Sequence, residues 1–269
     1  MFAFSSKSAV QNIPAKLLNQ WLILSSRFLF VANPNLANKM SWESEKRKYI
    51  SEYDSRDNQQ WTKWQDIKTW KQYAQEKNLG KPGTALPGNE IDNSKNEILA
   101  DKISFFVGDI TKLKVNAIVN AANKYLKAGG GVDGAIHRTA GSNLQMECNS
   151  LGSCETGDAK IMGGYKLPAK YVIATVGPQG EKPALLKSCY QKSLEVAMAN
   201  NASTIAFPCI STGIYGYPNE AASHVASYTV RKFLEQHHDK FERVIFCLFM
   251  EVDVDLYERI LQVYFPLKS

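Results

Sequence analysis

Five short apolar runs recur along the last two thirds of this chain: "ISFFVG", "NAIVNA", "KYVIATVGP", "STIAFPCIS" and "RVIFCLFM". Each is nearly continuous in its apolar character, and helix-length segments separate several of them, including Pro183 to Asn200 and Asn219 to His237. A strand that is apolar on both sides has to be buried on both faces. The pattern therefore predicts an α/β fold over residues 100–269, with helices covering both faces of a central sheet.

The residues ahead of that unit differ in kind. Residues 1–42 carry Lys7, Lys16, Arg27 and Lys39 and no acid, and their apolar patch "WLILSSRFLFVA" is interrupted by Arg27. The patch is too short and too broken to span a membrane. Positives and serines without acids fit a mitochondrial transit peptide; a disordered leader, or an extension ahead of a second start at Met40, is the alternative. The expected location is thus mitochondrial, and otherwise cytoplasmic or nuclear. Residues 43–99 read as a helical extension ending in the linker "NLGKPGTALPGNEIDNSKNE". A helix there would set Trp61 and Trp64 on one side, as packing surface rather than a ligand cage. The formal net charge is +6, but the leader supplies four positives, which leaves +2 for the remainder. Strong binding to nucleic-acid phosphates is not expected.

Cys148, Cys154, Cys189, Cys209 and Cys247 form no CxxC and no Cys/His spacing suited to zinc. They read as reduced thiols, and neither a metal nor a cofactor is expected. Cys209, beside a glycine-rich loop, is either reactive or a small buried hydrophobe.

Two glycine loops carry the chemistry. In "KAGGGVDGAIHR", Gly129, Gly131 and Gly134 satisfy G-x-G-x-x-G. A dinucleotide fingerprint should begin at a strand end, whereas this strand candidate ends near Asn120 and "AANKYLKA" intervenes. The acid expected after the next strand is also missing, since Glu155 lies in the loop-like "SCETGDAK". No G-K-[ST] follows the glycines, which excludes a P-loop. The second loop, "STGIYGYP" from Ser211 to Pro218, follows a strand and leads into a helix. Strand, glycine turn and helix expose backbone N–H groups that hold phosphate without a cation. Both loops belong at the C-terminal edge of one sheet, where ligands bind in such folds.

Further positions converge on that edge. Asp109 can accept from an exocyclic amine such as that of adenine, or simply cap a turn. Asn120 and Asn123 suit ribose hydroxyls, or serve loop backbone. Phe246 and Phe249 offer a base-stacking face, or belong to the core.

The segments "GDITKLKVNAIVNAANKYLKAGGGVDGAIHRTAG", "KIMGGYKLPAKYVIATVGP", "AFPCISTGIYGYPNEAA" and "FCLFMEVD" resemble the macrodomain, specifically the MacroD-type mono-ADP-ribosyl hydrolases, over about residues 102–265. That resemblance implies a three-layer α/β/α sandwich with a mixed central sheet, preceded by a helical extension. It implies that Asp109 and Ile110 recognise adenine, that Phe249 stacks on it, and that Asn120 and Asn123 lie near the distal ribose. Gly130, Gly131 and Val132 would form one wall of a diphosphate cleft. Ser211, Thr212, Gly213, Ile214, Tyr215 and Gly216 would form the other, with Tyr215 over the distal ribose. Asp133 matches the family's catalytic aspartate. Two departures stand out: Ala174, where many relatives have histidine, and Lys127 with Ala128, where relatives are shorter or carry glycine.

The implied activity is removal of mono-ADP-ribose esterified to Asp or Glu of proteins, together with deacetylation of O-acetyl-ADP-ribose. ADP-ribose and modified proteins are the expected partners, and the chain is expected to be a monomer. The residues themselves point the same way. An acid beside a diphosphate weakens simple anion binding, so Asp133 argues for chemistry. A glycosidase normally needs two carboxyl groups, but one suffices where the leaving group is itself a carboxylate. Attack of water at ribose C1 and attack at the ester carbonyl both remain open, as does His137, which either orients Asp133 or belongs to the core. The alternative function is a reader that binds ADP-ribose without turnover. A phosphatase would need metal ligands or Cys-x5-Arg, and Ile214 and Tyr215 stand where that arginine would follow Cys209.

Overall fold

The computed structural model describes residues 34–267. From Trp42 onward the described residues form one compact unit, which carries the sheet. The leader reading for residues 1–42 lies outside the described residues except at 34–42, where helix α1 (Pro34–Ser51) begins.

The sheet has six strands in the order β2-β8-β7-β4-β6-β5. They are β2 (Ile103–Val107), β4 (Ala117–Ala121), β5 (Ala159–Gly163), β6 (Tyr171–Thr175), β7 (Thr204–Phe207) and β8 (Arg243–Leu248). All neighbours are parallel except the β5 edge, which runs antiparallel to β6. The sheet is therefore mixed. The five apolar runs all became strands; β5, in the short "AKIMG", joins them at the edge, where little apolar sequence is required.

Strand residues divide by a period of two between two cores. Val119, Ile173, Ile205, Phe207, Val244 and Phe246 face one cluster. Ile118, Val172, Ala174, Ala206 and Ile245 face the other. The first is closed by α6 (Pro183–Ala199), α7 (Asn219–His237) and α8 (Glu251–Tyr264), through Leu186, Leu194, Val230, Leu234, Ile260 and Leu261. The second is closed by α4 (Gly131–Ala140) and α5 (Ser142–Leu151), through Ile136 and Leu144. Helices on both faces explain why each strand is apolar throughout.

The tryptophan-rich stretch corrects one expectation. Residues 61–64 are not helical: Thr62–Lys63 forms β1, paired in parallel with β3 (Leu113–Lys114), and Trp64 opens a 3-10 turn. The cause is tertiary. The Trp61 ring lies under the Arg56 guanidinium at 5.3 Å and the Trp64 ring under Arg243 at 5.4 Å, so each tryptophan takes a separate cationic partner. The helix starts only at α2 (Trp70–Glu76), where Thr69 and Gln72 form a capping box. Further on, α3 (Asn96–Ala100) leads into β2.

Candidate active site

The parallel strands β2, β8, β7 and β4 lie side by side in that order and end on one edge. At about 4.8 Å per strand the edge extends roughly 14 Å. The expected site residues follow the same order. Asp109 lies beyond β2, Phe249 directly after β8, the Ser211–Gly216 loop after β7, and Asn120 at the end of β4.

At the β2 end, Asp109 caps a 3-10 turn, accepting from Thr111 N at 2.9 Å and Thr111 Oγ1 at 2.7 Å through Oδ1. The residue stays exposed, so capping and ligand recognition are compatible in it, while Ile110 is buried. Of the two phenylalanines, Phe246 packs in the core against Tyr257, ring centroids 4.9 Å apart. Phe249 is 83% exposed and presents its face to solvent.

In the middle stand the two glycine walls. Gly131 has φ +58° and Gly216 φ +66°, conformations that favour glycine. Gly130 and Gly213 have no such need, and a Cβ on either would meet no protein atom within 4 Å. Nothing inside the protein excludes a side chain there, so both walls border open space. The second wall is pinned by Gly216 N to Gly213 O at 2.9 Å, Tyr217 N to Ser211 O at 3.0 Å, Gly180 N to Tyr215 O at 2.7 Å and Thr212 Oγ1 to Cys209 O at 3.2 Å. Ile214, at its tip, is 92% exposed. Ser211 is buried in a left-handed conformation, φ +69°, and its Oγ has no hydrogen-bond partner. Such strain in a non-glycine residue concentrates at functional sites.

Helix α4 opens the first wall. Gly130 supplies no side-chain cap, so the amides of the first turn point at the cleft with the helix's partial positive charge. Asp133 sits in that turn, 5% exposed. Its Oδ1 accepts from Asn120 Nδ2 at 2.6 Å and its Oδ2 from Gly129 N at 2.6 Å. His137 Nε2 lies 3.5 Å from Oδ1. Burial lowers the His137 imidazole below its ordinary 6.5, against the opposing pull of Asp133, so it is neutral at pH 7. Asn120 Oδ1 is buried without a partner. Val132, half-buried, completes the wall.

Asn123 serves its own loop: Oδ1 accepts from Tyr125 N and Lys127 N, each at 3.2 Å, and Nδ2 donates to Lys127 O at 2.5 Å. Burial and then the Asp253 carboxylate push the Cys209 thiol well above the ordinary range, which disfavours the thiolate that a nucleophile would need. All five cysteines are free. Among the described residues no group of three metal-ligating side chains gathers, and no helix is long and apolar enough to cross a membrane.

Sequence reasoning missed Ser211 as a strained, unpartnered polar group, and missed Gln145 and Asn149, which bind the loop ahead of Asp133 through Ala128 N and Lys127 Nζ. Neither carried a local signal, since both depend on which segments meet in space.

The sequence model of the Macro domain family matches residues 119–226, the span holding Asn120, Asp133 and the second glycine loop. ADP-ribose glycohydrolase MACROD2 of Xenopus laevis is 56% identical over 186 residues, 65% of this chain and 44% of that protein. ADP-ribose glycohydrolase MACROD1 of Rattus norvegicus is 54% identical over 178 residues, 64% of this chain and 69% of that protein. The chain belongs to the macrodomain family. The Trypanosoma brucei macrodomain solved in complex with ADP-ribose aligns with a TM-score of 0.65 at 34% identity, over 78% of this chain and 85% of that one. This macrodomain spans less than half the length of the Xenopus relative. Its Ala174 is buried beside Asn120, its register partner across β4 and β6, so the departure from histidine falls on a core packing position.

Proposed function

We propose that the protein hydrolyses ADP-ribose esterified to Asp or Glu side chains of proteins, and deacetylates O-acetyl-ADP-ribose by the same chemistry. The observation that carries this is the buried Asp133 carboxylate, held by Asn120 and Gly129 beside the glycine turn that opens α4. The names of the curated relatives, both ADP-ribose glycohydrolases, and the ADP-ribose complex of the trypanosomal macrodomain support it.

Along the sheet edge the ligand lies in one direction. Adenine sits between Asp109 and Phe249, the diphosphate between the Gly130–Val132 turn and the Ser211–Gly216 loop, and the distal ribose against Asn120 and Asp133. The unpartnered Asn120 Oδ1 accepts from a ribose hydroxyl. Each Asp133 oxygen already takes one protein donor and keeps lone-pair capacity for water. Water so oriented bonds through its oxygen to ribose C1 as the bond between C1 and the ester oxygen breaks, and it gives its proton to the Asp133 carboxylate, which returns it to solvent. The leaving carboxylate, with an unperturbed pKa of about 4, departs without being protonated. The products are ADP-ribose and the free side chain. Arginine- or serine-linked ADP-ribose leaves as a far stronger base, and the neutral His137 has no extra proton to give, so those linkages turn over poorly.

The reading takes mono-ADP-ribosylated proteins as partners and the chain as a monomer. The charge pattern of residues 1–42 supports mitochondrial placement, and a reporter carrying them that stays diffuse in the cytosol would remove that part.

The test measures ADP-ribose release from an Asp/Glu-modified protein by wild type and Asp133→Ala, with ADP-ribose affinity in parallel. Release falls at least about 100-fold in the variant while binding survives. Binding without release by the wild type would instead make the protein a reader.

A further inference from the structure

The loop that delivers Asp133 to the cleft is held from outside the site. Gln145, on α5, accepts the Ala128 N–H at Oε1, 2.8 Å away, and donates from Nε2 to Leu126 O at 3.0 Å. One primary amide thus takes a donor and an acceptor of the loop backbone, much as a neighbouring strand would. The same Nε2 reaches Asn149 Oδ1 at 3.1 Å, and that oxygen also accepts from Lys127 Nζ at 2.6 Å. Gln145 and Asn149 are four residues apart, on one face of α5.

Asn123 holds this loop as far as Lys127, through Lys127 N and Lys127 O, and Gln145 takes the backbone beyond it at Ala128. Lys127 to Gly131 are all exposed, and Leu126 is the buried anchor, itself at φ +53°. A non-glycine residue in that conformation persists only where its surroundings over-determine it. Three successive glycines follow, which give the backbone more freedom to lose than any other residues would. Immediately after the clamped Ala128 comes Gly129, whose N–H holds Asp133 Oδ2 at 2.6 Å. The donors and neighbours at Oδ1, Asn120 and His137, come from β4 and α4 and lie outside the clamp.

We propose that Gln145, supported by Asn149, is a positioning residue for Asp133, fixing the Leu126–Gly129 backbone so that the Gly129 N–H aims the carboxylate. The proposal rests on the ester-hydrolase reading of the cleft. Gln145 touches no substrate. It acts through Ala128 and Gly129.

The test compares wild type with Gln145→Met, which keeps the length of the side chain and removes its amide, alone and in the Asp133→Ala background. Turnover falls about ten-fold, as a misplaced catalytic group allows, while ADP-ribose affinity stays within about two-fold because the adenine and diphosphate contacts are untouched. Hydrogen exchange at the Ala128 and Gly129 amides accelerates at least about ten-fold. In the Asp133→Ala background the second substitution adds nothing. Unchanged exchange at those two amides overturns the proposal, and so does a loss of turnover that persists without Asp133. Should the wild type release no ADP-ribose, the hydrolase reading fails, and loop exchange alone decides the positioning. Should Gln145→Met not fold, Asn149→Ala at an exposed position reads the same amides; unaltered exchange there would refute the clamp.

Discussion

Asn120 Nδ2 donates to Asp133 Oδ1 across 2.6 Å, which ties the end of β4 to the first turn of α4. The bond is buried, and it leaves Asn120 Oδ1 without a partner. A buried unpaired acceptor is destabilising by roughly 1–3 kcal/mol until a ligand supplies the donor.

Replacing that donor by an acid should expose the electrostatics. In Asn120→Asp two carboxylates meet at hydrogen-bond distance, and one of them has its pKa raised above its unfolded value. A group raised in the fold loses stabilisation as pH rises through the folded pKa. The variant should therefore be destabilised more, relative to wild type, at about pH 8 than at about pH 5. Denaturant midpoints at both values check this, and an equal deficit would contradict it.

Under the proposed function, the Asp109 and Phe249 end of the edge separates binding from folding. Phe249 is 83% exposed, so Phe249→Ala should leave stability within about 0.5 kcal/mol. It should weaken ADP-ribose binding by about 1–3 kcal/mol through lost stacking. Asp109→Ala should lower both, because it also removes the cap of the turn at Ile110, worth about 1 kcal/mol. Calorimetric affinities and melting curves on the two variants measure the contrast; a destabilised Phe249→Ala would place that ring in the core.

Gly134→Ala would normally favour a helix by about 1 kcal/mol. Here a Cβ would sit 2.5 Å from Gly129 O and 3.0 Å from Arg138 Nη1, so the loop must retreat and carry the Gly129 N–H off Asp133. Release should fall by about ten-fold or more, without the expected gain in melting temperature. Full activity in this variant would show that the loop is free to shift.

Two histidines link stability to acid. Burial lowers His137 and His224 below their ordinary 6.5, and His224 Nδ1 lies 2.9 Å from Tyr264 OH. A depressed histidine leaves the unfolded chain binding more protons, so its contribution is whole above 6.5 and is lost as pH falls below it. Denaturation midpoints should therefore decline between about pH 7.5 and about pH 5.5, and decline less steeply in His137→Asn/His224→Gln. Equal slopes would show that neither imidazole is involved.

By itself the sequence determined the layers and the edge. Its apolar runs could be satisfied only by a sheet covered on both faces, and the helices at Pro183 and Asn219 begin where the amino acids predict. The glycine loops were legible because φ > 0, found at Gly131 and Gly216, restricts residue type locally. The tertiary structure decided what depends on encounter. It buried Phe246 and exposed Phe249, although the two lie three residues apart on one strand run. It committed the Asn123 amide to its own loop and turned that of Asn120 onto Asp133. It drew Trp61 and Trp64 out of a helix and onto separate cations, and it brought Gln145 against the loop of Asp133. A side chain's partners are set by which elements pack together, and that is a property of the folded chain.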